Sequence, residues 1–123
     1  NSVSCVNAPA QFAGIAALDG SDDDINAMMV KFDQRRKLIH EGLNNLPGIE
    51  CSLPGGAFYA FPNVIGTGMN GEEFAKKCMY EAGVALVPGT AFGKTCQDYV
   101  RFSFAASQDN ISNALENIKK MLG

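Results

Sequence analysis

Apolar positions recur along this chain with two different periods, and the change from one to the other marks out helices and strands. Residues 10–18 are almost all Ala or short apolar side chains, with Gly14 among them. They predict a helix packed closely against neighbours, ended by Asp19-Gly20. Ser21 can cap the next helix, with Asp22, Asp23 and Asp24 in a first turn where carboxylates favour the helix dipole. Ile25, Met28, Phe32, Ile39, Leu43 and Leu46 keep mostly helical spacing and form its predicted buried stripe. Arg35, Arg36 and Lys37 fall on the solvated side, Arg36 nearest the stripe, and Pro47-Gly48 stops the helix. Residues 49–53 and 57–61 read as short strands turned by Pro54-Gly55-Gly56, a hairpin or bent pair. Residues 72–82 predict a helix with Phe74, Ala75, Cys78, Met79 and Ala82 on one side and Gly83 just past its end. Residues 84–87 are nearly all apolar and predict a strand buried on both faces. Residues 99–105 alternate: Val100, Phe102 and Phe104 share one face, and Tyr99, Arg101, Ser103 and Ala105 the other. Ser107 caps a last helix with the stripe Ile111, Ala114, Leu115, Ile118, Met121 and Leu122. Helices with one apolar stripe must bury it on a sheet. The predicted fold is therefore a two-layer α/β sandwich: a small mixed or antiparallel sheet of four strands covered by the three later helices.

Composition narrows the function classes without choosing one. With a net charge of −3, the chain has no basic footprint for nucleic acid or an anionic membrane surface. No apolar run is long enough to cross a bilayer. The chain opens on Asn1 rather than Met, and the expectation is a piece of a longer protein. Cys5, Cys51, Cys78 and Cys96 show no C-x-x-C spacing, and Cys51 and Cys78 fit apolar positions. Free thiols in a reducing compartment, hence a cytoplasmic protein, are expected.

Several patterns invite chemistry that their context does not support. Consecutive residues on a helix point in different directions, so the Asp22–Asp24 run reads as capping rather than a metal site. His40 has no partner pattern for a triad or a metal. Gly66-Thr67-Gly68-Met69-Asn70-Gly71 has the form G-x-G-x-x-G of a dinucleotide-binding turn. However, Pro62-Asn63-Val64-Ile65 separate it from the strand, Glu72-Glu73 follow it, and no acidic residue stands where the ribose would need one. A loop leading into a helix is the better reading. Asn110-Ile111-Ser112 is a glycosylation sequon in form only, set in an amphipathic helix.

Arg101 is the strongest candidate for chemistry. An arginine among aromatic residues in a strand needs an anion, and its planar fork of donors matches a carboxylate in two parallel hydrogen bonds. The plain alternative is an ion pair with an Asp or Glu of the same domain. Two further motifs bear on the choice, Pro54-Gly55-Gly56-Ala57-Phe58-Tyr59 and Val87-Pro88-Gly89-Thr90-Ala91-Phe92-Gly93. Each sets glycines, which permit sharp turns and close approach, beside an aromatic residue. In this order, with Arg101-Phe102-Ser103-Phe104-Ala105, the trio resembles the C-terminal part of fold-type I pyridoxal-phosphate aminotransferases, the aspartate aminotransferase-like class I/II.

That resemblance implies a division into residues 1–18, the tail end of a large cofactor-binding domain, and residues 19–123, the small C-terminal domain. It implies an enzyme that moves an amino group between an amino acid and a 2-oxo acid, with aspartate and 2-oxoglutarate as the candidate pair, and a homodimeric parent. In such enzymes pyridoxal phosphate is held on a lysine and serves as an electron sink. By position, Arg101 matches the arginine that clamps the substrate α-carboxylate. Phe58 matches an aromatic lining the substrate pocket. Gly56 and Gly89 match backbone positions that let the small domain close. The S-x-S-K type lysine segment of the family has no counterpart among Lys31, Lys37, Lys76, Lys77, Lys94, Lys119 and Lys120. The chain alone is therefore expected to hold no cofactor and to be inactive. A related fold-type I enzyme such as a carbon–sulfur lyase, and a dinucleotide-binding module, are the alternative readings.

Overall fold

The structure, a computed structural model, describes residues 5–123. It divides into two compact units, Asn1–Val30 and Lys31–Gly123.

The first unit holds α1 (Ala8–Asp19) and the opening turns of α2 (Asp23–Asn44). Asn7 caps α1: its side chain accepts from the Ala10 N–H at 2.9 Å, and Pro9 sits in the first turn, where a missing N–H costs nothing. The α1 circumference is apolar, yet none of its residues is buried, and Phe12 and Leu18 are 74% and 88% exposed. The expected close packing is thus not met within the described residues. An Ala-rich, uniformly apolar stretch signals burial without saying what provides it. Ser21 Oγ accepts from the Asp23 N–H at 3.1 Å at the start of α2. Ile25 and Met28, expected in the buried stripe, are half exposed. Helical spacing identifies a face but not how far along it a partner reaches.

The second unit is a three-stranded antiparallel sheet with helices on one side. Its strands are β1 (Tyr59–Ala60), β2 (Val87–Pro88) and β3 (Val100–Ser103), in the order β1-β3-β2. Tyr59 pairs with Ser103 and Ala60 with Phe102 on one side of β3; Val87 pairs with Arg101 and Pro88 with Val100 on the other. The inward face, Ala60, Val100, Phe102 and Phe104, is buried in one cluster with Ile39, Leu43, Phe74, Cys78, Ile111, Leu115 and Ile118. Those residues come from α2, α3 (Gly71–Lys77) with its extension, and α4 (Gln108–Leu122). The two-layer architecture expected from the stripes is present.

Capping explains where the helices begin. Ser107 Oγ accepts from the Asn110 N–H at 3.2 Å, so α4 starts where its sequence indicates. Asn70 and Glu73 form a reciprocal capping box at α3. The G-x-G-x-x-G run is thereby accounted for: the N-terminus of α3 is satisfied by its own side chains and carries Glu72 and Glu73, which would repel a phosphate. Gly66 serves packing, since a Cβ there would lie 2.8 Å from the Gly48 carbonyl oxygen. After Lys77 the helix widens into a π-helical turn, Cys78–Ala82, ended by Gly83 at φ 67°. Met79, expected on the buried side, is half exposed on that turn.

Two predicted strands differ from expectation. Residues 49–53 form only a single bridge, Glu50 with Asn63. Next to it Asn44 Oδ1 accepts from the Cys51 N–H at 3.0 Å, and Asn44 Nδ2 donates to the Cys51 carbonyl at 2.9 Å. A helix side chain thus satisfies the backbone groups a ladder would have used. In residues 84–87 only Val87 joins the sheet, and the segment is half-buried or exposed rather than buried on both faces. An apolar run reads the same whether a strand is central or, like β2, an outer one with a proline in it.

The four cysteines are free; Cys51 and Cys78 are buried and Cys5 is exposed. Burial pushes both buried thiols up, Cys78 to about 12. In the native protein an alkylating reagent should modify Cys5 and leave Cys78 untouched until denaturant is added, read by peptide mass spectrometry. Equal rates at the two sites would mean that the Cys78 core is not formed.

Candidate functional site

The site is built on the open face of the sheet. Because β3 alternates, burying Val100 and Phe102 turns Arg101 and Ser103 to the other side. β3 is the central strand of the sheet, so Arg101 is flanked by chain on each side. Tyr59 enters from β1. Phe92 enters from the 3-10 turn Gly89–Phe92 that follows β2. The Arg101 Cζ lies 4.3 Å from the Tyr59 ring centroid and 4.7 Å from that of Phe92. Phe61 stacks on Tyr99 with centroids 5.3 Å apart and meets Phe92 edge-on at 5.7 Å. Phe58, Tyr59, Phe61 and Phe92 are each more than a third exposed, so a cluster of rings around one cation lies open.

Among the described residues the ion pairs are Arg36–Asp33, Lys37–Asp33 and Lys77–Glu81. Arg101 is in none of them, and the side-chain hydrogen bonds of the described residues do not include it. No carboxylate of the described residues therefore neutralises this half-buried guanidinium; aromatic faces surround it instead. Its donors remain free for a planar anion, and a carboxylate is the shape they fit.

Phe58 lies just before β1. Its carbonyl accepts from the Phe104 N–H at 2.9 Å, and its ring is 4.5 Å from that of Tyr59. Phe58 and Arg101 are thus linked through Tyr59. Gly56 is exposed in the preceding turn, with open space where a Cβ would be. Ala57 has φ 57°, a left-handed conformation that costs a non-glycine residue about 1–2 kcal/mol. Arg36 holds that turn. Its Nη1 donates to the Pro54 carbonyl at 3.0 Å, while Nε and Nη2 donate to Asp33 Oδ1 at 3.0 and 2.6 Å. The expected solvated-side role of Arg36 is corrected by this bracket, whose partner lies 18 residues away. Hydrogen bonds from Lys37 and Arg36 hold the Asp33 carboxyl below the usual range. That contribution to stability is present above the ordinary carboxylate range and is lost as pH falls through the lowered value.

The other turn is positioned by backbone contact. Gly89 is buried, and its N–H donates to the Tyr99 carbonyl at 2.8 Å. A Cβ on Gly89 would run into the carbonyl oxygens of Cys96 and Tyr99. Thr90 Oγ1 donates to Glu72 Oε1 at 2.9 Å, tying the same turn to α3. Gly89→Ala should therefore cost about 1–3 kcal/mol, as overpacking does. The check is a denaturant midpoint lowered with an unchanged slope; a midpoint equal to that of the unsubstituted protein would contradict the close approach.

Tyr59, Phe92 and Arg36 are the site residues that sequence reasoning did not assign. Tyr59 and Phe92 stand inside the quoted motifs, and period 2 places Tyr59 opposite Ala60 on the open face. The Arg36 bracket has no local signal.

The remaining chemistry is sparse. Six of the seven lysines are exposed on helix or turn surfaces, and the half-buried Lys77 lies 4.0 Å from Glu81. An imine-bearing cofactor needs an amine enclosed beside a phosphate cradle, so these lysines do not fit pyridoxal phosphate. No group of three His, Cys, Asp or Glu that could hold a metal occurs among the described residues. Among the described residues no helix is long and apolar enough to cross a membrane.

Comparison with known proteins extends this picture beyond the chain. Residues 1–118 match the family described as Aminotransferase class I and II. An aspartate aminotransferase of Pyrococcus horikoshii is 41% identical over 91% of this chain and 29% of its own length. A (5-formylfuran-3-yl)methyl phosphate transaminase of Methanocaldococcus jannaschii is 40% identical over 95% of the chain and 31% of its own. The solved structure of an alanine aminotransferase from Pyrococcus furiosus superposes with a TM-score of 0.90 at 36% identity, over 96% of this chain and 30% of that one. The chain thus spans about 30% of the length of the relatives it matches. Nearly its whole sequence and both layers of its fold have counterparts in these enzymes, and it belongs to the class I and II aminotransferase family.

Proposed function

We propose that this chain is the C-terminal portion of a pyridoxal-phosphate-dependent aminotransferase and that Arg101 clamps the α-carboxylate of its amino-acid and 2-oxo-acid substrates. The observation that carries the reading is an arginine on an open aromatic sheet face with no carboxylate partner among the described residues. In this reading residues 1–18, of which the first four lie outside the described residues, complete the large domain. Residues 19–123 are the small domain. Phe58 lines the substrate pocket, and Gly56 and Gly89 serve the turns that carry it. The uncovered apolar circumference of α1 supports a chain that continues into something larger. The cofactor and its lysine belong to the remainder of the polypeptide, and the parent is a cytoplasmic homodimer; buried free thiols support the compartment. Relatives at about 40% identity carry names with different substrates, so aspartate with 2-oxoglutarate is the first pair to assay.

The test uses the full-length protein that contains this chain, with pyridoxal phosphate added. Amino transfer that requires a 2-oxo acid is the expected result. Ammonia release with no amino acceptor would identify the carbon–sulfur lyase alternative instead. The isolated 123 residues should show no cofactor absorption band that survives dialysis, and a stoichiometric band would overturn the assignment of the lysine to the missing part.

A further inference from the structure

We infer that Tyr59 and Phe92 are positioning residues that hold the Arg101 guanidinium ready for a carboxylate, so that the affinity of the clamp depends on two rings that need not touch the substrate. The inference rests on the proposed role of Arg101 and adds what keeps that side chain in place. An arginine side chain loses rotamer freedom when it is fixed. A carboxylate partner would fix an arginine but would also occupy its donors and neutralise part of its charge. Arg101 has no such partner among the described residues. Instead one ring approaches from each flank of β3, at 4.3 and 4.7 Å from Cζ. Ring faces attract the cation through their quadrupoles and leave its N–H donors uncommitted. The side chain is thereby restrained while its charge and its donors stay available.

The two rings are themselves restrained by different means. Tyr59 is in the ladder, paired with Ser103, and packs against Phe58. Phe92 is braced edge-on by Phe61, which stacks on Tyr99, and its turn is anchored by the Gly89 hydrogen bond to Tyr99 and by Thr90 to Glu72. Restraint before binding lowers the ordering cost when a carboxylate arrives. Because the carboxylate is bound alike in the ground and transition states, losing that restraint should raise KM and leave kcat nearly unchanged.

The experiment compares Tyr59→Leu, Phe92→Leu, Tyr59→Phe and Arg101→Lys in the full-length enzyme. The readouts are kcat, KM for the amino acid, the inhibition constant of propionate as a bare carboxylate probe, and the cofactor absorption band. Each Leu variant should raise KM and the propionate constant together by about three- to tenfold. Tyr59→Phe keeps the ring and should restore both. The cofactor band should stay the same throughout. If a Leu variant does not fold, Met at the same position repeats the comparison. A rise in KM for Arg101→Lys with none for the Leu variants overturns the inference and leaves the clamp intact. So do Leu variants that lower kcat at constant KM. No rise for Arg101→Lys removes the clamp itself, and the inference with it.

Discussion

Replacing Arg101 by Lys in the full-length enzyme should lower kcat/KM about 30- to 1,000-fold, with both half-reactions affected. Lysine keeps the positive charge but presents it as a point, without the planar fork that meets two carboxylate oxygens at once. A lost charge-assisted pair in a partly desolvated site costs roughly 2–4 kcal/mol, which is the origin of the range. The upper half of that range applies where a second protein surface excludes water from the open face. Amino acid and 2-oxo acid share the carboxylate, so an effect confined to one of them would not come from this clamp. The stability of the folded chain should hardly change, because Arg101 supports no ion pair among the described residues. Lower stability with kcat/KM retained within about twofold would return Arg101 to a structural role.

The largest effect on stability is expected at Phe104. It is fully buried at the end of the alternation that runs through β3, and it packs in the single core cluster. Phe104→Ala should cost about 3–5 kcal/mol from lost transfer energy and the cavity left behind. Domains of this size have about 5–15 kcal/mol in all, so the variant would be partly unfolded near body temperature. The Phe104 N–H also bonds the Phe58 carbonyl, so loosening this residue loosens the strand that carries Tyr59. The control is Ser103→Ala, exposed one position earlier, which should stay within about 0.5 kcal/mol of the unsubstituted protein. Similar denaturation midpoints for the two variants would mean that the faces of β3 are assigned the wrong way round.

These two residues show which parts of the molecule were legible beforehand. The alternation from Val100 to Phe104 is a local signal, and the structure sorts those residues onto faces as the alternation requires. The α4 stripe and its Ser107 cap are local in the same way. Residues 49–53 read as a strand yet form only a bridge, because the groups that satisfy their backbone come from the Asn44 side chain, which periodicity does not register. The run at residues 84–87 reads as a buried strand yet contributes only Val87 to an outer one, because apolar content does not distinguish the two. At the site, Arg101 and Phe58 could be picked out by residue type and motif. The Arg36 bracket on Pro54 could not, since helical spacing places a side chain on a face without saying which loop returns to it. The two rings against Arg101 depend on the strand order β1-β3-β2, which no local pattern contains.

That strand order also bears on how copies of this chain would meet one another if it were produced by itself. Both outer strands are two residues long, and one of them contains Pro88, which has no N–H to offer. Such borders are poor templates for adding a further strand, so growth into ribbons by edge pairing is disfavoured. Apolar side chains stay exposed in two places, the rings of Phe58, Tyr59, Phe61 and Phe92 and the α1 circumference with Phe12 and Leu18. Neither is a row of unpaired strand N–H and C=O groups along which a sheet could be extended. Self-association of the isolated chain would therefore run through side-chain contact rather than through strand addition.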